Sequence, residues 1–167
     1  MAAGSGTLHA LTPAAVLTLP WAAWIDSPET NVLWGGPTFV WPLDEAQWQA
    51  HFAAGTALPF LWTVDGEAAG YVELVALAPG CFRLCRVWIA PAFRGQGWST
   101  KMLQALLGYA DSELGAVDIT LGVFAHNRAA RACYAGLGFQ PYVAVIGACW
   151  VAAQPWTLLR LRRVKSV

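Results

Sequence analysis

The chain has 167 residues, of which 57% are hydrophobic and only 12% charged, and its ten Lys and Arg balance ten Asp and Glu. Balanced charge argues against partners such as nucleic acid or an anionic membrane, and the length predicts one domain with a single core. Ten tryptophans provide more apolar surface than a monomer of this size readily buries, which favours a substrate cleft or a subunit interface.

Two long uncharged stretches, residues 1–25 and 132–159, are candidates for membrane spans. Prolines interrupt the first, which also lacks a basic start, and Gly, Pro and Gln divide the second, so neither is predicted to cross a membrane. Four cysteines form no C-x-x-C pair, and three histidines form no ligand cluster with them, so no metal site is predicted. We expect reduced, buried thiols in a cytoplasmic protein.

The first third of the chain predicts small elements. These are a short strand over 7–11, an amphipathic helix over 12–25 broken near Pro20, and an ordered but irregular segment over 24–43. A helix over 44–55 follows, because Asp44 with Gln47 three residues later is typical of a capping box and Gly55 is a typical stop.

Three consecutive antiparallel strands are predicted next. Asp65-Gly66 joins strands over 58–64 and 68–77 as a hairpin, and Pro79-Gly80 turns the chain into a strand over 81–90. A helix follows from Ser99 to Gly115, then a strand over 116–124, a helix capped by Asn127, and two strands over 142–151 and 156–164. The pattern predicts a single α/β domain with a mixed, mainly antiparallel sheet of six to seven strands and helices on both faces.

The segment Arg94-Gly95-Gln96-Gly97 lies between a strand and a helix. Backbone N–H groups that no side chain obstructs, at the N-terminus of a helix, can bind phosphate. Glycines in the same position can also form an ordinary turn that binds nothing. Neither the Walker loop nor the dinucleotide fingerprint fits, because the required second or third glycine is absent.

With its neighbours, this segment resembles the GNAT superfamily of N-acetyltransferases. Arg94, Gly97 and, loosely, Ser99 match the loop signature [QR]-x-x-G-x-[GA], after the approach VWIAPAFRGQG. AHNRAARACYAGLGF resembles the second cofactor segment, N-x-x-A-x-x-x-Y-x-x-x-G-F. Both motifs lie between Val87 and Phe139. Ser99 stands where the family prefers glycine or alanine, but serine is also small, so the loop is still expected to close on pyrophosphate. Trp98 is interpreted as packing through its side chain.

The resemblance implies acetyl-CoA as cosubstrate, held between splayed strands that end at Ile89 and Phe124. Its pantetheine amides would pair with backbone of Val87, Trp88 and Ile89. Loop N–H groups would take the pyrophosphate, and Asn127 would frame the second segment. The implied loop residues are Arg94, Gly95, Gln96, Gly97, Trp98, Ser99 and Thr100. The whole chain, 1–167, would be one acetyltransferase domain, with an acceptor-binding part over about 1–57 and a cofactor part over about 81–140.

The implied reaction is direct attack of a primary amine on the thioester. Tyr134 is the implied acid for the departing thiolate, although its spacing also suits a core aromatic residue. No base carries over from the family, because Arg83 and Gly122 stand where relatives have a glutamate. Glu73 is a candidate base acting through water, with a pKa raised by apolar neighbours; an outward-pointing Glu73 and proton loss to solvent are the alternatives.

The acceptor is predicted to bind at the Trp-rich segment over 21–43. Indole walls with Asp26 or Glu29 at the rim suit a cationic amine of a small molecule or peptide, and they suit a subunit interface equally. A homodimer through the apolar C-terminal strands is expected from their low charge. Two further functions stay open: a non-catalytic acyl-CoA-binding module and an interaction subunit.

Overall fold

The computed structural model describes residues 4–164. Strand β1 (Gly6–Ala10) is followed by four helices, α1 (Pro13–Val16), α2 (Trp21–Trp24), α3 (Pro28–Gly35) and α4 (Glu45–Ala53). The predicted break at Pro20 is confirmed, since α1 and α2 lie on either side of it. The irregular segment predicted over 24–43 is partly wrong, because it contains α3.

Helix α3 has a start signal that the expectation overlooked. The Ser27 hydroxyl accepts a hydrogen bond of 3.1 Å from the Thr30 N–H, and Pro28 occupies the first helical position. At α4 the Asp44 carboxylate caps the Gln47 N–H at 2.9 Å, as predicted. The Gln47 side chain does not close the capping box; its amide bonds the backbone of Val40 at 2.7 and 2.9 Å instead.

The remaining elements form one sheet with two long helices. They are β2 (Ala57–Val64), β3 (Glu67–Ala78), β4 (Cys81–Ile89), α5 (Trp98–Glu113), β5 (Asp118–Phe124), α6 (Arg128–Gly136), β6 (Phe139–Val151) and β7 (Gln154–Arg163). The strand order is β1-β2-β3-β4-β5-β7-β6, with only the β4–β5 pair parallel. The predicted mixed, mainly antiparallel α/β sheet is confirmed. Asp65 and Gly66, with φ of 49° and 84°, form the predicted hairpin turn.

Helices cover both faces of this sheet, as predicted. The larger core joins α5 to one face through residues such as Leu103, Leu106, Leu74 and Leu84. The second core lies on the other face and packs α1 to α4 against Tyr71 and Trp88. Four tryptophans from the helices form most of this second core, namely Trp21, Trp24, Trp34 and Trp48, each at most 7% exposed.

The parallel strands β4 and β5 pair over only part of their length. Their register runs from Cys81–Asp118 to Leu84–Leu121 and is recorded no further among residues 4–164. Beyond that point β5 continues its pairing with β7 as far as Phe124, while β4 stays paired with β3 as far as Ile89. The two strands therefore separate, leaving a gap in the sheet.

A β-bulge lies in β4 beside this gap. Tyr71 pairs with Trp88 and Glu73 with Cys85, so Arg86 and Val87 together face the single residue Val72. Arg86 has a φ of 53°, a left-handed conformation that turns its side chain inward. Arg86 is only 9% exposed, so the bulge places a buried guanidinium next to β3.

Other surface features bear on the sequence predictions. No helix within residues 4–164 is long and apolar enough to cross a membrane. The four cysteines are free thiols but are half-buried, so the expectation of full burial is wrong. Strand β6 is an edge strand, and its side chains Ile146 and Trp150 are 86% and 70% exposed.

Candidate active site

The loop between β4 and α5 presents unpartnered backbone N–H groups. Gly95 and Gly97 are left-handed, with φ of 72° and 80°, and Gly97 is the residue that precedes α5. The N–H groups of Gly95, Gln96 and Gly97 donate to no acceptor within residues 4–164. The first helical hydrogen bond at this end runs from the Lys101 N–H to the Gly97 carbonyl. The first-turn N–H groups are therefore also free of helical partners, so a row of donors lies at the positive end of a 16-residue helix.

Side chains around this loop hold its shape. The Arg94 Nε donates to the Ile89 carbonyl at 2.9 Å, and its guanidinium lies 4.5 Å from the Trp88 ring centroid. The Gln96 amide bonds the Ala92 carbonyl and accepts from the Trp98 indole. Trp98 is 6% exposed and belongs to the larger core, which agrees with a packing role for its side chain.

One cavity of about 1150 Å³ connects the gap between β4 and β5 with the far face of the sheet. It contacts most residues that the sequence assigned to the cofactor, namely Val87, Trp88, Ile89, Arg94, Gly95, Gly97, Trp98, Ser99 and Asn127. Gln96 and Thr100 of that set do not line it. At its other end it contacts α3, the segment that follows α3, and His51 of α4.

Helix α6 supplies Asn127 and Tyr134 to this cavity. Asn127 caps α6 by accepting from the Ala130 N–H at 3.3 Å, as its motif predicts. Tyr134 lines the cavity at 7% exposure, and its hydroxyl has no hydrogen-bond partner within the described part of the chain. Burial, with smaller effects from Cys133 and Cys85, raises the pKa of Tyr134 well above its ordinary value, so the phenol keeps its proton.

Glu73 lies in a buried polar cluster beneath the cavity. Its Oε1 accepts from Arg86 Nε at 2.8 Å and lies 2.7 Å from His51 Nε2, and its Oε2 accepts from the Tyr71 hydroxyl at 2.7 Å. Glu73 has no exposed surface and does not line the cavity. The alternative of an outward-pointing side chain is therefore wrong.

The predicted rise in the Glu73 pKa is also wrong. Burial alone raises this pKa, but the His51 hydrogen bond, the Arg86 charge and the Tyr71 hydrogen bond together bring it below its ordinary value. The neighbours of the carboxylate are polar, not apolar as expected. For Tyr71 the result is opposite: burial, then the Glu73 charge and hydrogen bond, raises its pKa well above the ordinary value.

His51 is a site residue that the sequence reasoning missed. It lines the cavity, and its Nε2 contacts Glu73, while its Nδ1 has no hydrogen-bond partner within residues 4–164. In the sequence it was considered only as a metal ligand. Its position in the last turn of α4, on the same helix as the buried Trp48, was the available signal that this part of α4 packs on the sheet.

The acceptor side of the cavity differs from the expectation of an indole cage with an acidic rim. Asp26 and Glu29 are exposed and do not line the cavity. Of the tryptophans in the segment over 21–43, only Trp34 reaches it, and the Trp34 indole donates to the Arg86 carbonyl at 3.1 Å. The other indoles pack into the second core, except that of Trp41, whose N–H donates to the Ile25 carbonyl.

Comparison with known proteins identifies the family. The model of the Acetyltransferase (GNAT) family matches residues 21–139, from α2 to the start of β6. The chain belongs to the GNAT acetyltransferase family. It is therefore an acyltransferase enzyme by family, and the resemblance drawn from the two motifs is confirmed.

Solved structures show the same fold at low sequence identity. A putative phosphinothricin N-acetyltransferase has a TM-score of 0.77 at 17% identity, covering 98% of this chain and 100% of that one. A spermidine N-acetyltransferase mutant from Vibrio cholerae has 0.75 at 19%, covering 95% and 94%. A ribosomal alpha-N-protein acetyltransferase in complex with coenzyme A, joined to it by a disulfide, has 0.75 at 17%, covering 96% and 94%.

Proposed function

We propose that this enzyme transfers the acetyl group of acetyl-CoA to a primary amine of a small molecule or peptide by direct attack. The observation that carries this proposal is the single cavity that joins the free N–H groups of the 94–97 loop to Tyr134 and His51. Acetyl-CoA would supply an activated acetyl thioester. The protein residues would hold both reactants and handle two protons.

The fit of the cofactor rests on two sets of unpartnered backbone groups. The N–H groups of Gly95, Gln96 and Gly97, followed by the first turn of α5, suit a pyrophosphate. The edge of β4 that faces the gap, over Val87, Trp88 and Ile89, suits the amides of pantetheine, which would pair with it like an added strand. The side chain of Trp98 takes no part, because it is buried in the core.

Tyr134 is the proposed proton donor. In the reaction the amine nitrogen forms a bond to the acetyl carbon, the carbon–sulfur bond breaks, and the departing thiolate takes a proton. The raised pKa of Tyr134 supports this role, because the phenol remains protonated in neutral solution. Its cavity-facing position on α6 favours this function over that of a core aromatic residue alone.

His51 is the proposed acceptor of the amine proton, and Glu73 is the residue that positions it. The sequence predicted that Glu73 acts as the base through a water molecule, but Glu73 is inaccessible. We therefore propose that it acts through His51, whose Nε2 lies 2.7 Å from Glu73 Oε1. This arrangement leaves Nδ1 as the ring nitrogen that is free for a substrate proton. Proton loss to solvent before attack is the competing route.

Thiol release from acetyl-CoA with a panel of amines tests the proposal, with calorimetry of coenzyme A binding beside it. We expect binding and acceptor-dependent thiol release, and we expect Tyr134→Phe to keep the binding while losing most of the release. Binding without turnover on any amine would favour a non-catalytic acyl-CoA-binding module. Absence of coenzyme binding would overturn the account altogether.

A homodimer through β6 and β7 is part of the proposal. The support is an edge strand, β6, that has no charged residue and carries large exposed apolar side chains, Tyr142, Ile146 and Trp150. A second copy pairing at this edge would cover both the apolar groups and the free backbone groups of β6. Light scattering of the purified protein is the direct measurement.

A further inference from the structure

We propose that the acceptor carries an oxyanion, such as a carboxylate, phosphonate or phosphinate, and that Arg83 and Arg160 bind it. This inference rests on the proposed function and names the class of acceptor. Both arginines line the cavity, and neither guanidinium takes part in an ion pair or a hydrogen bond within residues 4–164.

The sheet register brings the two arginines to one face. Arg83 of β4 pairs with Thr120 of β5, and Arg160 of β7 lies opposite Gly122 of the same strand. Because Ile119, Leu121 and Val123 point into the α5 core, the alternate residues Thr120 and Gly122 face the other side. Arg83 and Arg160 therefore stand on the acceptor face, with backbones roughly 12 Å apart across one intervening strand and a two-residue offset along it.

The charge of the cavity lining is one-sided. Its charged residues are Arg83, Arg86, Arg94 and Arg160, and no Asp or Glu within residues 4–164 lines it. Arg86 is neutralised by Glu73, and Arg94 is bonded to the Ile89 carbonyl and stacked on Trp88. Arg94 belongs to the loop after β4, so the positive charge without an acidic or hydrogen-bonding partner on the acceptor face is that of Arg83 and Arg160.

Arg83 carries a specific sign of a missing partner. Its Nε is buried without a hydrogen-bond acceptor. A buried N–H without an acceptor destabilises a protein, and a bound ion or water molecule is one of the explanations for such a group in a native structure. An oxyanion is the partner that a guanidinium binds best, because two parallel N–H groups match two oxygens.

The position of Arg83 along β4 favours the acceptor over the coenzyme as the ligand of the pair. Arg83 precedes the point where β4 and β5 separate, whereas the phosphate-binding loop follows the opposite end of β4, after Ile89. A cationic lining also disfavours the charged ammonium form of a bound amine. The amine would then be held in its neutral form, which is the form that attacks the thioester.

The test uses matched acceptors and matched variants. The acceptors are the twenty common amino acids with their carboxamides, together with aminoalkyl phosphonates and phosphinates, assayed by thiol release from acetyl-CoA. The variants are Arg83→Gln and Arg160→Gln, with Arg128→Gln as the control at the start of α6. We expect the anionic acceptors to be preferred and each cavity variant to raise their KM by about tenfold or more. The KM for acetyl-CoA should not change.

Two results would overturn the inference: equal kcat/KM for anionic and neutral members of the pairs, or a raised KM for acetyl-CoA in place of the acceptor. The second result would assign the arginines to the coenzyme phosphates. If no amine is acetylated, the proposed function fails separately, and calorimetry with the same anionic compounds decides this inference. Binding that Arg83→Gln abolishes would then support it, and absence of binding by the parent protein would reject it.

Discussion

His51 Nε2 lies 2.7 Å from Glu73 Oε1, and this contact links the cavity wall on α4 to a carboxylate with no exposed surface on β3. Arg86 and Tyr71 hold the same carboxylate from the other sides. The imidazole is therefore fixed in one orientation by a group that substrate does not reach. We expect this cluster to affect both the proposed reaction at the cavity and the stability of the sheet. Two predictions separate these effects.

His51→Gln should lower kcat/KM by about 100-fold at neutral pH, because an amide replaces the imidazole, the one side chain of this cluster that lines the cavity and is proposed to accept a proton. The measurement is thiol release from acetyl-CoA across the amine panel at neutral pH. His9→Gln, an exposed change on β1, is the control; a variant as active as the parent would favour proton loss to solvent.

Glu73→Gln should destabilise the fold by about 3 kcal/mol at neutral pH, because Arg86 would lose its buried charged partner. The pKa of Glu73 is lowered from 4.5, so the folded state binds this proton more weakly than the unfolded state. The stabilisation is therefore complete above about pH 4.5 and is lost as the pH falls through the lower folded value.

Denaturant unfolding of parent and Glu73→Gln between pH 7 and pH 3 measures this effect. The difference between the two proteins should shrink on acidification. Glu113→Gln, at the exposed end of α5, should stay within about 0.5 kcal/mol of the parent throughout. A difference that does not change with pH would contradict the lowered pKa.

Tyr134→Phe should lower kcat by about 100-fold while leaving the affinity for coenzyme A unchanged, since only the hydroxyl is removed from an otherwise buried ring. Thiol release and calorimetry together test both halves of this statement. Tyr109→Phe, on the exposed side of α5, is the matched control. Unchanged turnover in Tyr134→Phe would leave Tyr134 as a packing residue.

Gly97→Ala should weaken coenzyme A binding by roughly tenfold. No atom lies within 4 Å of the added methyl group, so there is no steric obstruction. A φ of 80° is nevertheless unfavourable for alanine by about 1–2 kcal/mol, so the loop would be strained or would change its conformation. Gly108→Ala, in the interior of α5 and equally unobstructed, should bind normally and be slightly more stable. Normal binding by Gly97→Ala would show that the loop conformation is not what holds the coenzyme.

Ile146→Glu should convert the expected homodimer to a monomer, because a charge would be placed in the middle of the exposed apolar face of β6. Light scattering at several protein concentrations measures the mass. Val40→Glu changes an equally exposed residue far from β6 in the sequence and should leave the mass alone. A monomeric parent protein would reject this interface.

Much of the fold could be predicted from local signals in the sequence. Asp65-Gly66, Asp44 and Asn127 each specify a turn or cap within a few residues, and the elements around them follow. Helix α3 could have been predicted from the same kind of signal, since Ser27 and Pro28 form a good N-terminus. The many Trp, Pro and Gly residues around it suggested irregular structure instead.

The candidate site likewise contains some residues that local sequence signals predict and others that they do not. Gly97 acts through its own left-handed backbone, and the Asn127 side chain caps a helix only three residues away, so a short motif predicts both residues. The cluster around Glu73 depends on contacts between residues as far apart as His51 and Arg86, and on a left-handed residue at a bulge. The alternation of β4 places Arg86 in phase with Phe82 and Leu84 of the larger core, and the bulge that turns it toward Glu73 has no local signal, so the lowered pKa of Glu73 could not be predicted.

The gap between β4 and β5 leaves room in this sheet for a further extended segment. A cosubstrate with peptide-like amides seated there would act as a temporary eighth strand, and its binding energy would add to the free energy of unfolding as RT ln(1 + [L]/Kd). The protein's resistance to heat and proteases would then rise and fall with the concentration of coenzyme around it.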